Sequence, residues 1–234
     1  MTDPSPETCL DPTPLVDSDH PAVQALARQH ATGGSDRERA IALYHAVRDD
    51  YRYDAYRIDL DADSMRASSV LSLGYGWCVP KAALLAAACR AAGIPARLGY
   101  ADVRNHLSTE RMRQTMKTDV FIWHGYTDIW LDGAWRKATP AFNIELCERF
   151  GLHPLEFDGV NDSIYHPFDR SGNRHMEYLA QRGAFAEMPL QRMVEDFRRV
   201  YPGWIGGGQT ASQLHSGDFL ADIALEPAAG TRPS

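Results

Sequence analysis

Cys78 is the residue whose type and setting most directly suggest a reaction. It lies in Gly74-Tyr75-Gly76-Trp77-Cys78-Val79-Pro80-Lys81-Ala82-Ala83-Leu84-Leu85, a glycine-punctuated turn running into an alanine- and leucine-rich stretch. The pattern predicts a cysteine at the start of a helix, where backbone N–H groups lack intrahelical partners and the helix end carries partial positive charge. Both effects favour a thiolate. Pro80 fits a first helical turn, where its missing N–H costs little. An ordinary thiol, with a pKa of about 8.5, is only slightly ionised at neutral pH. A neighbouring imidazole removes that handicap by holding the thiolate or by accepting its proton. Of the nine histidines, His124 is the best placed. It opens the strand pattern Phe121-Ile122-Trp123-His124-Gly125-Tyr126-Thr127-Asp128-Ile129-Trp130 and is followed by a glycine that permits close approach.

A third polar group should orient the imidazole. Asp102 ends the preceding strand pattern, Ala96–Val103, and antiparallel pairing would bring it to the same end of the sheet as His124. Asp128 is a poorer choice, since four residues of strand separate it from His124 by roughly 13 Å. The Cys78 backbone N–H is a candidate donor to a transition-state oxyanion. Tyr75 and Trp77 either add a side-chain donor or brace the turn.

These groups need a frame. Residues 1–19 are rich in Pro, Asp and Thr and read as an extended arm. Pro21–Gln29 reads as a helix. Ser35 and Glu38 make a capping box for a second helix over Asp36–Asp49. Tyr51–Tyr56 is aromatic and alternating, suited to packing under the Cys78 helix. That helix covers about Cys78–Ala92 and stops at Gly93-Ile94-Pro95, with Cys89 on its buried side. Strand patterns follow at Ala96–Val103, Phe121–Leu131 and Ala134–Ala138, the last two joined by an Asp132-Gly133 turn. Cys147 reads as packed. Met176–Arg182 and Pro189–Arg199 read as helices. The Gly/Ala/Pro/Ser-rich segment 206–234 reads as a flexible tail. The expectation is one α+β domain over about 20–205, with no internal repeat and no second domain boundary.

Three blocks carry a family resemblance: Gly-Trp-Cys before an Ala/Leu helix, then Ala91-Ala92-Gly93-Ile94-Pro95-Ala96-Arg97, then His124 in a strand ending Leu131-Asp132-Gly133-Ala134-Trp135. In this order they resemble the transglutaminase-like superfamily of cysteine enzymes, over about Tyr51–Asn143. The resemblance implies a papain-like fold, a Cys-bearing helix on an antiparallel sheet, with Cys78 as nucleophile and His124 as base. The sequence departs from the family at one place. Where the family carries Asp-Pro-Thr, this chain has Thr139-Pro140-Ala141. Thr139 can accept a hydrogen bond from imidazole but supplies no negative charge.

A Cys/His pair suits acyl transfer through an acyl-enzyme. Water as acceptor makes a hydrolase, an amine a transferase, and a carbanion a cyclase. Among the last are Dieckmann-type enzymes that release a carrier-bound chain. The missing Asp also admits a catalytically inactive binding module. The segment Arg104–Lys117, with Arg104, Arg111, Arg113 and Lys117 against Glu110, offers recognition of an anionic substrate or an acidic acyl carrier protein. Tyr100, Asn105, His106 and Trp123 lie close enough in sequence to contact the same cleft. The expected partner is otherwise a small-molecule or peptide acyl substrate.

Composition bounds the rest. The chain has 234 residues, 44% apolar and 24% charged, with a formal charge of −7. An acidic balance gives no support to non-specific nucleic-acid binding. No stretch approaches bilayer-spanning length, and the polar start Met1–Pro6 has no signal-peptide pattern. Cysteines at 9, 78, 89 and 147 form no CxxC pair, which suggests free thiols in a reducing cytoplasm. No metal-ligand cluster and no GxGxxG or GxxxxGK[ST] motif occurs, so no cofactor is expected.

Overall fold

A computed structural model describes residues 3–105, 108–165, 168–172, 175–202 and 215–225. Helices α1 (Pro21–His30) and α2 (Asp36–Asp50) lead into strand β1 (Arg52–Tyr53), short helices α3 (Ala62–Met65) and α4 (Ala67–Leu73), and strand β2 (Tyr75–Gly76). Helix α5 (Cys78–Ala91) follows, then strand β3 (Ala96–Asn105), helix α6 (Glu110–Met116), and strands β4 (Val120–Leu131) and β5 (Ala134–Ala138). Helix α7 (Ile144–Phe150), strand β6 (Met176–Phe185), and helices α8 (Leu190–Val200) and α9 (Phe219–Leu225) come next, and a single 3-10 turn at Glu7–Cys9 precedes α1.

The sheet order is β5-β4-β3-β6, antiparallel throughout. Helix α5 lies against β3 and β4 and is buried over nearly its whole length, from Cys78 to Arg90. That burial explains its composition. An alanine-rich helix that is apolar apart from Lys81 and Arg90 has no solvent face to satisfy, and α1, α2 and α4 pack around its other sides. The Ser35–Glu38 capping box of α2 is present. Cys89 and Cys147 are buried, and all four cysteines are free thiols.

Two parts differ from the sequence expectation. Met176–Arg182, read as helix, is strand β6, paired with β3 on the side away from β4. Its residues carry no strong strand pattern, but the open edge of β3 supplies a ladder of partners that local propensity cannot offset. Within the segment read as a flexible tail, the described residues include α9. It buries Phe219 and Ile223, and the Phe219 ring lies 5.8 Å from that of Tyr53 and 5.1 Å from that of Tyr56. At the other end, the Pro4 carbonyl accepts from Arg97 at 3.2 Å.

Among the described residues, no helix is long and apolar enough to cross a membrane.

Candidate active site

The turn that delivers Cys78 is built from both sides. Gly74 caps α4 in the left-handed region, at φ 73°, where a residue with a Cβ is disfavoured. Tyr75 and Gly76 then pair in parallel with Arg52 and Tyr53. This small ladder carries the aromatic Tyr51–Tyr56 block up to the turn. Cys78 is the first residue of α5, and the Lys81 N–H closes the first turn onto the Trp77 carbonyl at 3.1 Å.

Lys81 was not singled out by sequence, where a helical lysine reads as solvent-facing. It is fully buried. Its Nζ donates to the carbonyls of Arg48 (2.8 Å), Tyr51 (2.6 Å) and Ala141 (2.9 Å). One ammonium therefore ties the end of α2, the entry to β1 and the chain after Pro140 to the first turn of α5. Burial pulls its pKa down to about 7.

His124 arrives from β4 across Gly125. A Cβ placed on Gly125 would stand 3.0 Å from the Val79 Cα and 3.3 Å from the Cys78 carbonyl oxygen. A side chain here would be tightly crowded, so the glycine favours the close approach of β4 to the start of α5. Farther along, Thr127 Oγ1 donates to the Ala82 carbonyl at 2.8 Å, holding the strand to the helix. Cys78 and His124 both line a narrow cleft, together with Trp77, Asn105 and apolar side chains.

Electrostatically the pair is neutral at rest. Burial pushes the Cys78 thiol up to about 12, against the pull of the Gly125, Val79 and Cys78 backbone N–H groups. The helix-end effect expected from sequence is thus present but outweighed by desolvation. Burial also lowers His124 to about 4. Its Nε2 is buried without a hydrogen-bond partner among the described residues. Rings of Tyr165 and Tyr178 stand 5.6 Å and 6.4 Å from the imidazole. Thr139 is buried, and its Oγ1 has no hydrogen-bond partner among the described residues. His175, too isolated in sequence to be chosen, packs 5.4 Å from Tyr165.

Asp102 does not take the orienting position proposed from sequence. His124 pairs with Ala101, so the next residue, Asp102, projects to the other face of the sheet. There its carboxylate binds Arg182 Nε and Nη2, the latter at 2.8 Å, and accepts the Trp123 N–H at 3.1 Å. The register explains the bond to Trp123. Ala101 opposes His124 while Val103 opposes Phe121, so Ile122 and Trp123 face Asp102 alone in a β-bulge. Trp123 sits at φ 58°, and the groups the bulge removes from the ladder find side-chain partners. The Ile122 N–H donates to Tyr201 Oη at 2.9 Å; separately, the Trp123 indole Nε1 donates to Asp196 at 2.9 Å. Asp128, the alternative orienter, is paired with Arg97 at 3.1 Å.

The remaining candidates divide. Trp77 and Asn105 line the cleft. Tyr100 and Trp123 do not. Both are fully buried in a ring cluster with Phe185, because Tyr100 and the bulged Trp123 share the face away from the imidazole. Tyr75 lies under the Arg57 guanidinium, 5.3 Å from ring to Cζ, beside a neighbouring depression. Arg104 pairs with Asp119 at 3.1 Å, Arg111 with Asp222 at 2.6 Å and Arg113 with Glu110 at 2.7 Å. The chain's own carboxylates thus meet these three cations. His106 lies outside the described residues. Among those described, no three His, Cys, Asp or Glu side chains are grouped as metal ligands.

This arrangement coincides with a family model. Residues 24–140 match that of the transglutaminase-like superfamily. The chain belongs to this superfamily. The match takes in the Cys78 turn, α5, β3, the His124 strand and Thr139. No curated protein matches the chain. Among solved structures, it is similar to a chain named "putative cysteine protease" from Cytophaga hutchinsonii, with 21% identity and a TM-score of 0.45 over 59% of this chain and 43% of that one. It is also similar to a chain named "putative protease" from Parabacteroides distasonis, with 16% identity and a TM-score of 0.36 over 54% of this chain and 26% of that one. This chain thus spans less than half the length of either.

Proposed function

We propose that the protein is a cysteine-dependent acyl-transfer or hydrolytic enzyme acting through an acyl-enzyme on Cys78. Membership of the transglutaminase-like superfamily supports cysteine-based catalysis in general. The observation that supports the reading is that the cysteine at the start of α5 and the imidazole of β4 line one cleft, with Gly125, the neighbour of His124, packed against the Cys78–Val79 backbone. With both groups neutral at rest, His124 acts as general base at the moment of attack. Sulfur bonds to the acyl carbon as the thiol proton passes to the imidazole. The Cys78 N–H then faces the developing oxyanion. Collapse breaks the bond to the leaving group, which takes the proton from the imidazolium. Water or another nucleophile resolves the thioester by the reverse path.

Intact mass after exposure to thioester, ester and amide donors tests this. An adduct on the wild type that is absent from C78A supports the acyl-enzyme, and equal labelling of both overturns it. A second reading, a binding module without turnover, is favoured by one observation: His124 Nε2 has no polar orienter among the described residues. It predicts ligand binding with no adduct on Cys78.

A further inference from the structure

The wall of the Cys78–His124 cleft is uncharged. Among the described residues that line it there is no carboxylate, ammonium or guanidinium. Beyond Cys78 and His124, the polar side-chain atoms come from Asn105, the Trp77 indole and two tyrosines, while Ile58, Met112, Phe121, Ile122 and Met176 present hydrocarbon. The nearest cations along the chain do not alter this, since Arg104 and Arg111 are held by Asp119 and Asp222. A group entering this space loses its water. An apolar group gains by that transfer, whereas a charged one loses hydration and finds no opposite charge.

We infer that the acyl group delivered to Cys78 is uncharged and apolar, an aliphatic or aromatic acyl chain carried by a small ester, thioester or amide. The inference rests on the cysteine–histidine reading above and narrows it. In the acylation step the Cys78 sulfur bonds to the acyl carbon and the bond to the leaving oxygen, sulfur or nitrogen breaks. The thiol proton reaches the leaving group through His124, and no other reagent is consumed. The apolar wall holds the chain while the carbonyl stays at the sulfur.

The test compares 4-nitrophenyl hexanoate with 4-nitrophenyl hydrogen succinate, similar in reach but different in charge. Rates of adduct formation on Cys78 are followed by intact mass and divided by the rates with free cysteine. Hexanoyl transfer at least 30-fold faster than succinyl transfer is expected, and Met112→Lys should narrow that gap about 10-fold. Binding of hexanamide and succinamate to C78A, read by tryptophan fluorescence, provides a measurement independent of chemistry and of the Met112 variant. Equal or faster succinyl transfer, with the adduct still on Cys78, overturns the apolar preference and leaves the nucleophile intact. Absence of any adduct, with hexanamide bound in preference to succinamate, keeps the apolar site and removes the nucleophile. Failure of both adduct formation and hexanamide binding overturns both.

Discussion

Gly125 of β4 lies against Val79 of α5 so closely that a Cβ on the glycine would stand 3.0 Å from the Val79 Cα and 3.2 Å from its Cγ2. The contact joins the neighbours of the two candidate residues, since Cys78 precedes Val79 and His124 precedes Gly125. Two of the three nearest atoms belong to backbone, so accommodating the added methyl takes a shift of a few tenths of an ångström between strand and helix. Gly125→Ala is expected to cost about 1–3 kcal/mol of stability, as overpacking does. It should also lower the Cys78 acylation rate at least 10-fold. Urea unfolding and intact-mass kinetics check the two effects separately.

His124 is buried neutral, with its pKa lowered to about 4 by desolvation. The unfolded imidazole protonates near its ordinary value of about 6.5. Between those values the unfolded chain binds more protons than the folded one, so stability falls as pH falls through the window. The loss expected from this group is about 3 kcal/mol by pH 4. His124→Phe should flatten this part of the stability–pH curve, measured by urea titration from pH 7 to pH 4.

Asp102 serves the bulge, not the imidazole. Asp102→Ala removes the acceptor of the Trp123 N–H and a partner of Arg182, with an expected loss of about 2–3 kcal/mol. Asp102→Asn keeps an acceptor and should lose less. Neither change should move the pH dependence of Cys78 alkylation in variants that remain folded. A shift in that profile with Asp102→Asn would reinstate Asp102 as the orienter.

Lys81 supplies three hydrogen bonds to carbonyls that have come together from separate segments. Lys81→Met fills similar volume but leaves those carbonyls with less hydrogen bonding. Relief of the buried charge offsets part of the loss, and about 3 kcal/mol of net destabilisation is expected. A lower urea midpoint, with unfolding that stays cooperative, is the check.

Thr139 occupies the position at which the family resemblance places an Asp. By that resemblance, Thr139→Asp restores a negative charge in the orienting position and should raise the His124 pKa. Iodoacetamide should then alkylate Cys78 several-fold faster at pH 7 than in the wild type, with Cys89 unchanged as the internal control.

What could be read from sequence depended on how local each signal was. The Cys78 turn and α5 were legible because Gly74, Pro80 and the Gly93-Ile94-Pro95 stop act within a few residues. The three strands after α5 were legible from alternation and the Asp132-Gly133 turn. Asp102 was misassigned because one extra residue on β4, at Ile122–Trp123, sets which groups share a face, and nothing at Asp102 itself reports it. Strand β6 was hidden because its partner, the outer edge of β3, lies more than seventy residues earlier and overrides local preference. The raised Cys78 pKa was also illegible. A sequence shows a helix end but not how many side chains close over it.

The Asp222 carboxylate accepts hydrogen bonds from Arg111 Nε at 2.6 Å and the Tyr56 phenol at 2.7 Å. During synthesis on the ribosome, Tyr56 emerges long before its acceptor does. Until residues 219–225 have left the exit tunnel, the aromatic rings at positions 53 and 56 lack the cover that Phe219 gives them. The rings of Tyr53 and Tyr56 therefore wait, through the synthesis of all the residues between, for a cover that comes only when α9 docks.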